Sequence, residues 1–268
     1  MNPTERKMLD LLKKGRDQYG VVAVKAEFEA EGTRPDEFHR LLEIAHRADL
    51  KVALKIGGAE AVSDLFASKV YGVGYIIAPM VETPYALSKF IDAKKKTHGA
   101  NEEQTEFLIN VETETTLQNL DGMVPLAREG GVGLVFGRVD FTLSRGMPRG
   151  AINERSITDA VLKVANACRD ADLDLVVGGS VSGDAVEALR EIQKVRLDRF
   201  ETRKVIFEGA AVTNDAIFAG IANAVEFELL WLKNKRDYYQ RIAEEDLPRI
   251  EMMEARMRNQ TQQSGSAG

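Results

Sequence analysis

The chain lacks several features that mark particular protein classes. It has one cysteine, Cys168, among 268 residues, so a disulfide framework within the chain is excluded and a cytoplasmic location is expected. No apolar run approaches the roughly 20 residues that span a bilayer, and the N-terminus has no signal-peptide pattern. We therefore expect no membrane association.

The chain also lacks a basic excess and is poor in histidine. Its formal net charge is −6, with basic residues scattered along the sequence, so we expect no nucleic-acid partner. His39 and His46 fall in a predicted helix and His98 in a polar loop, so none follows a predicted strand. A histidine zinc site, a Ser–His–Asp triad and a histidine general base are therefore not expected. Acid–base chemistry would fall to Glu, Lys or metal-bound water.

Apolar strands alternate with amphipathic helices along the chain. We predict strands at Val21–Phe28, Val52–Ile56, Val73–Pro79, Glu106–Glu112, Gly133–Val139 and Leu173–Gly178, with a further one within Phe200–Phe207. Helices are predicted at Pro3–Asp17, Pro35–Ala48, Ala59–Ser68, Pro84–Lys96, Thr115–Leu120, Ser156–Ala171 and Gly183–Lys194. An eighth strand is expected in Val195–Arg199 ahead of Thr202–Phe207, or else near the N-terminus. This order predicts an α/β fold, a (β/α)8-type TIM barrel. A doubly wound sheet is less favoured, because no Gly-rich phosphate loop follows the first strand.

The C-terminal part of the chain predicts a helical extension of the barrel. A long helix runs from Thr213 and is followed by a second one at Leu247–Met257. Two alternatives remain open for the helix that runs from Thr213: it docks on a neighbouring subunit, or it closes the barrel of its own chain. We predict a single domain over 1–258 and a flexible tail over 259–268.

Two acids follow neighbouring predicted strands. Glu112 ends the strand that contains Phe107–Val111, and Asp140 follows the strand that contains Val132–Phe136. The carboxyl ends of parallel strands meet at the mouth of a barrel, where such folds hold their active sites. Glu112 alone can be explained as an acid at a helix N-terminus, but the second acid favours a site for a hard cation such as Mg²⁺.

Other polar residues cluster at predicted strand ends. Lys25 and Glu27 share the inward face of the first strand, where a buried charge must be paired, so they form either a structural ion pair or part of a site. Lys55 ends the second strand, and Gly57 after it allows close approach of a ligand. Ser180 and Ser182 follow the sixth strand, where one of them is expected to cap a helix whose N-terminus could hold an anion. Glu208 closes the last strand.

Three segments carry a resemblance to a known family. Leu108–Thr113, Gly133–Gly146 and Ile76–Glu82 resemble conserved strand ends of the HpcH/HpaI aldolase and citrate lyase β-subunit superfamily, whose members are metal-dependent barrels that make or break carbon–carbon bonds next to a 2-oxo acid or acyl enolate. The resemblance implies that Glu112 and Asp140 bind Mg²⁺ or Mn²⁺. It also implies a homo-oligomer, a trimer or a hexamer.

The chain departs from that family at three positions. Lys55 stands where the family has a substrate-binding arginine, and lysine cannot form the bidentate fork to a carboxylate. Glu27 and Glu29 replace an acid–histidine pair, and Arg138 replaces a proline. We therefore expect Lys25, Lys55 and Arg138 to bind an anionic substrate that differs from those of better-known relatives.

The leading hypothesis is a metal-dependent carbon–carbon lyase or aldolase that acts on a small 2-oxo acid. Glu112 and Asp140 would bind the metal, and Lys55, Lys25 and Glu27 are the candidate catalytic residues. The candidate substrate-binding residues are Lys55, Arg138, Gly57 and Ser180. Two alternatives remain: an aldolase that uses a lysine Schiff base on Lys25 or Lys55, and a non-catalytic oligomeric barrel subunit.

Overall fold

Eight strands close into a barrel in the computed structural model of the chain, which describes residues 1–99 and 104–265 and the side chains up to residue 259. The strands are β1 Val21–Glu27, β2 Lys51–Lys55, β3 Tyr75–Ala78, β4 Glu106–Val111, β5 Val132–Gly137, β6 Leu175–Gly178, β7 Arg199–Glu201 and β8 Val205–Glu208. They are hydrogen-bonded in the order of the sequence, and β8 pairs with β1 to close the ring. The predicted (β/α)8-type barrel is confirmed.

The last strand runs in the opposite direction to the other seven. β1 to β7 pair in parallel, whereas β8 is antiparallel to both β7 and β1. The connection between β7 and β8 has three residues, Thr202 to Lys204, and a parallel crossover needs a dozen or more. A hairpin is therefore the only connection available. As a consequence, the expectation that Glu208 lies with the other polar strand ends is wrong: its N–H donates to Gly20 O at 2.9 Å, at the opposite end of the barrel.

Eleven α-helices occur within the described residues. They are α1 Pro3–Tyr19, α2 Pro35–Arg47, α3 Val62–Tyr71, α4 Pro84–His98, α5 Glu114–Gln118, α6 Leu120–Gly130, α7 Arg138–Ser144, α8 Arg155–Ala171, α9 Val186–Gln193, α10 Ile217–Glu244 and α11 Leu247–Gly265. Short 3-10 turns lie at Arg149–Asn153, Gly183–Ala185 and Gly209–Thr213. No helix in the described part of the chain is both long and apolar enough to cross a membrane.

Two of these helices were not expected from the sequence. α6 contains Pro125, a residue that usually interrupts a helix. α7 begins at Arg138, directly after β5 ends at Gly137, although the apolar pattern extends the strand to Val139. Asp140 therefore lies in the first turn of a helix, not at the end of a strand.

Apolar side chains fill the lower part of the barrel interior. They are Ala23, Ala53, Tyr75, Ile77, Leu108, Val135, Val176 and Ile206. Val24 and Ala26 of β1 point the other way, into the core between strands and helices. The predicted alternation is thus confirmed from Ala23 to Glu27, and it places Lys25 and Glu27 inside the barrel above the apolar layer. Val22 was expected to face the helices, but it packs against the interior apolar layer, beside an irregularity in the pairing of β1 with β8.

The long helix α10 closes the barrel of its own chain. It runs antiparallel to α1: Asn223 Nδ2 donates to Leu11 O at 3.0 Å, and Asn2 Nδ2 donates to Asn234 Oδ1 at 2.8 Å. α11 follows, and its side chains over residues 247–259 are exposed. Residues 266–268 of the predicted tail lie outside the described residues, and the division into one domain and a tail stays a prediction.

Gly209 allows the close approach that closes the barrel after β8. Its N–H donates to Asp198 O at 2.7 Å, and a Cβ on Gly209 would lie 1.9 Å from Leu197 O. We expect Gly209→Ala to lower the free energy of unfolding by about 1–3 kcal/mol, because the backbone must shift to relieve the overlap. Gly150→Ala is the control, since a Cβ there meets no atom within 4 Å. Urea unfolding of both variants measures the effect, and equal stability would contradict this explanation.

Candidate active site

A cavity of about 770 Å³ lies at the carboxyl ends of the parallel strands, above the apolar layer. The charged and polar residues that line it include Lys25, Glu27, Glu29, Lys55, Asn110, Glu112, Asp140, Arg149, Ser180, Glu201, Arg203 and Glu228. This is the end at which barrels of this kind hold their active sites. The predicted residues Lys25, Glu27, Lys55, Glu112, Asp140 and Ser180 all line it.

Glu112 is held rigidly at the end of β4. It is 2% exposed, its Oε1 accepts from Met80 N at 2.9 Å, and its Oε2 accepts from Asn110 Nδ2 at 2.7 Å. Met80 has a φ of +55°, a conformation that costs energy for a non-glycine residue and that occurs often at functional sites. Thr113, not Glu112, caps the following helix α5 by accepting from Thr116 N. The alternative that Glu112 only caps a helix is therefore not favoured.

Asp140 lines the same cavity from the first turn of α7. Its side chain is exposed, and no other group in the described part of the chain bonds its carboxylate. β4 and β5 are paired neighbours, with Val111 opposite Phe136. A Cβ on Gly137 would lie 3.1 Å from Glu112 Cβ and 3.4 Å from its Oε2, so the glycine leaves room beside the Glu112 carboxylate.

Two carboxylates, those of Glu112 and Asp140, line the cavity, and carboxylate oxygens are ligands that Mg²⁺ and Mn²⁺ prefer. Among the described residues no group of three or more His, Cys, Asp or Glu is arranged to hold a metal. Mg²⁺, however, is commonly held by one or two carboxylates, with water and substrate oxygens completing the coordination. Asn110 Oδ1, beside Glu112, is a buried oxygen without a donor among the described residues, so the cavity floor has capacity for a further polar partner.

Lys25 forms a buried ion pair at the floor of the cavity. Its ammonium bonds Glu201 Oε1 and lies 3.4 Å from Glu27 Oε1, and all three side chains are at least nine-tenths buried. Burial alone would lower the pKa of Lys25, but attraction to Glu201 and Glu27 outweighs it and raises the pKa above its usual value. Lys25 is therefore a protonated group within the cavity.

Lys55 lies between two acids of the cavity, and Gly57 lies outside it. Lys55 Nζ is 3.3 Å from Glu29 Oε2 and 3.7 Å from Glu112 Oε2, so its charge lies next to the predicted metal ligand. Gly57 does not line the cavity, and its N–H donates to Asp64 Oδ2 at 2.8 Å. The structure therefore does not bring Gly57 together with the other candidate substrate-binding residues.

Arg138 lies beneath the cavity wall. It is 2% exposed and does not line the cavity. Its guanidinium donates to Gly178 O, Gly179 O and Asn153 Oδ1 at 3.2, 2.8 and 3.1 Å, and burial lowers its pKa to about 10. Its donors are directed at the protein, so a direct role in substrate binding has no support in this geometry.

The β7–β8 hairpin and α10 contribute charges that the sequence reasoning missed. Arg203 Nε lies 3.1 Å from Glu31 Oε1, and Lys204 pairs with the other oxygen of the same carboxylate. Glu228 of α10 reaches the cavity, and burial raises its pKa although Arg203 and Lys204 oppose the shift. For Arg203 and Lys204 the sequence held a signal: they lie in a charged run between two short apolar segments. A connection of three residues predicts a hairpin there.

None of the three histidines reaches the cavity, as expected. His39 and His46 lie on α2, as predicted. The prediction that His98 lies in a polar loop is wrong: it ends α4 and is buried beside Thr97 and Ser68. The acid–base groups of the cavity are glutamates, an aspartate and lysines.

Comparison with known proteins identifies relatives of this barrel. The family model described as HpcH/HpaI aldolase/citrate lyase matches residues 48–196. The crystal structure of an HpcH/HpaI aldolase from Desulfitobacterium hafniense DCB-2 is similar with a TM-score of 0.59 and 13% identity, over 72% of this chain and 82% of that one. An HpcH/HpaI aldolase/citrate lyase family protein from Burkholderia cenocepacia J2315 is similar with a TM-score of 0.55 and 14% identity, over 87% of this chain and 99% of that one. Comparison with curated proteins gives no match. At these identities the structural likeness supports the fold, and the family model supports the family.

Proposed function

Because the chain belongs to the HpcH/HpaI aldolase/citrate lyase family, we propose that it is a divalent-metal-dependent lyase or aldolase that makes or breaks a carbon–carbon bond next to the enolate of a 2-oxo acid. The observation that carries this proposal is that Glu112 and Asp140 line one cavity at the carboxyl end of the barrel. The wider chemistry of aldolases and lyases follows from the family. The metal and the 2-oxo acid are our proposals.

Glu112 and Asp140 would hold Mg²⁺ or Mn²⁺ together with oxygens of the substrate. Such an ion supplies Lewis-acid stabilisation of the negative charge that develops on a carbonyl oxygen. The hydrogen bonds from Met80 N–H and Asn110 Nδ2 fix the Glu112 carboxylate before substrate arrives, and such preorganisation lowers the cost of charge stabilisation. Lys55 adds a positive charge 3.7 Å from Glu112 Oε2.

We assign proton transfer to Glu27 and charge balance to Lys25. The raised pKa of Lys25 keeps it protonated, so it is poorly suited to accept a proton. Glu27 lines the cavity 3.4 Å from the Lys25 ammonium. Its carboxylate is thus the candidate base, and the Lys25 ammonium beside it is the counter-charge.

The same ion pair disfavours the Schiff-base alternative at Lys25. A lysine nucleophile must be neutral, and enzymes reach that state by lowering the pKa of the amine. Attraction to Glu201 and Glu27 has the opposite effect here. Lys55 Nζ likewise lies between two carboxylates, 3.3 Å from Glu29 Oε2 and 3.7 Å from Glu112 Oε2.

Chelation and borohydride trapping together test the proposed chemistry. We expect cleavage of a 4-hydroxy-2-oxo acid to stop in EDTA and to return when Mg²⁺ or Mn²⁺ is added. Treatment with borohydride in the presence of pyruvate should leave the mass of the protein unchanged, because no imine forms. Turnover that resists EDTA, together with an adduct on Lys25 or Lys55, would replace this proposal with the Schiff-base alternative.

We also propose that the protein is a homo-oligomer, a trimer or a hexamer. Exposed apolar side chains on α10 support association, since Phe218, Leu229 and Leu232 are about half exposed.

A further inference from the structure

Nearly every cation at the cavity is already paired. Lys25 is paired with Glu201, Lys55 lies 3.3 Å from Glu29 Oε2, and Arg203 lies 3.1 Å from a carboxylate oxygen of the β1–α2 loop. Within residues 1–99 and 104–265, Arg149 is the one basic residue lining the cavity whose guanidinium contacts no carboxylate. An anionic ligand would therefore meet its least neutralised positive charge at Arg149.

Arg149 forms a pair with Ser180 at the rim of the cavity. Arg149 Nη2 donates to Ser180 Oγ at 3.0 Å, and both residues are exposed and line the cavity. A guanidinium has five N–H donors, so most of those on Arg149 remain available. Ser180 has a φ of +49°, an unfavourable conformation for serine that must be maintained by its surroundings.

Buried Arg138 holds both members of this pair in place. It donates to Gly179 O, next to Ser180 in sequence, and to Asn153 Oδ1, in the same 3-10 turn as Arg149. Gly179 packs closely against the start of α7, since a Cβ on Gly179 would lie 2.7 Å from the backbone N of Val139. One guanidinium thus fixes the β6 loop relative to the Arg149 turn.

We propose that Arg149 and Ser180 form an anion-binding subsite that recognises a second anionic group, a carboxylate or a phosphate, at the end of the substrate away from the 2-oxo acid. Arg138 acts as the positioning residue for this subsite. The identity of the ligand as a 2-oxo acid substrate rests on the proposed function, but recognition of the distal anion is tested separately by binding.

Binding of two five-carbon 2-oxo acids tests the subsite. 2-Oxoglutarate and 2-oxopentanoate differ only in whether the far end carries a carboxylate. With Mg²⁺ present, isothermal titration should show 2-oxoglutarate binding about 10- to 100-fold more tightly, the range expected for a charge-assisted hydrogen bond. In Arg149→Met the preference should fall to about twofold or less, and 2-oxopentanoate should bind as it does to the wild type. Arg149→Lys should keep part of the preference, because it keeps the charge and loses the fork.

A matched arginine elsewhere serves as the control for this titration. Arg169 is exposed on α8 and bonds Asp170, so Arg169→Met should leave both affinities unchanged. A third probe, 2-oxo-4-phosphonobutanoate, separates the two anion classes, since tighter binding than 2-oxoglutarate assigns the subsite to a phosphate. Equal binding of the charged and uncharged acids, binding of neither, or a preference that survives in Arg149→Met would overturn the proposal.

The outcomes also separate this subsite from the proposed function. A preference that depends on Arg149 in a protein that cleaves no 4-hydroxy-2-oxo acid would retain the subsite and reject the reaction. Cleavage that is insensitive to a distal charge would retain the reaction and reject the subsite. Asn153→Ala tests the positioning by Arg138: we expect the preference to fall several-fold, with the affinity for 2-oxopentanoate unchanged. A merely structural role would change both affinities or neither.

Discussion

Glu112→Gln is expected to lower kcat for 2-oxo acid cleavage by about 10³-fold or more, and Asp140→Asn to have a comparable effect. Removing one preorganised group that stabilises an oxyanion typically costs 10²- to 10³-fold, and an amide also loses the charge that holds a divalent cation. Glu112→Gln retains the volume of the side chain in a position that is 2% exposed, so the fold should survive. Steady-state kinetics with saturating Mn²⁺ measures the loss.

The control is a carboxylate of the same chain outside the cavity. Asp121 is exposed in the first turn of α6 and does not line the cavity, so Asp121→Asn should retain full activity. Titration with Mn²⁺, followed by electron paramagnetic resonance, should show weakened metal binding in Glu112→Gln and Asp140→Asn only. Activity that persists in both variants with chelator present would reject the metal-dependent mechanism.

The sequence predicts the barrel because its first six strands lie between amphipathic helices. Each strand is buried on both faces, and this gives a short apolar run that is easy to find. β7 has three residues and β8 has four, too few for any periodicity. The direction of β8 depends on the length of the hairpin before it and not on its composition. The pattern therefore revealed the existence of a strand within Phe200–Phe207 but not its antiparallel direction.

The difference between long strands and short ones also explains which site residues could be predicted from the sequence. Lys25, Lys55 and Glu112 directly end or lie within strands of the parallel set, so sequence order alone places them at the mouth. Glu201 was missed because β7 is so short, and Arg149 because it lies in a turn after α7, a helix that the apolar run of β5 concealed. Their positions depend on how loops pack in space, which a single sequence does not encode locally.

Lys25→Met is expected to lower the free energy of unfolding by about 3–5 kcal/mol at neutral pH. The substitution leaves Glu201 and Glu27 buried without their shared cation, and loss of one partner of a buried ion pair has a cost of this size. The pH dependence follows from the raised pKa of Lys25. A group whose pKa is raised by folding stabilises the protein below its unfolded pKa, and that contribution is lost as the pH rises through the higher folded pKa.

The difference between wild type and Lys25→Met should therefore be full at neutral pH and should shrink above the ordinary lysine pKa of 10.5. Lys7→Met is the control: Lys7 pairs with Glu226 at 2.6 Å, but its side chain is 58% exposed, so its loss should cost less than about 1 kcal/mol. Urea unfolding over this pH range measures both. An equal, pH-independent loss of unfolding free energy in the two variants would mean that the buried ion pair does not stabilise the fold. The charge-balancing role assigned to Lys25 would then be rejected as well.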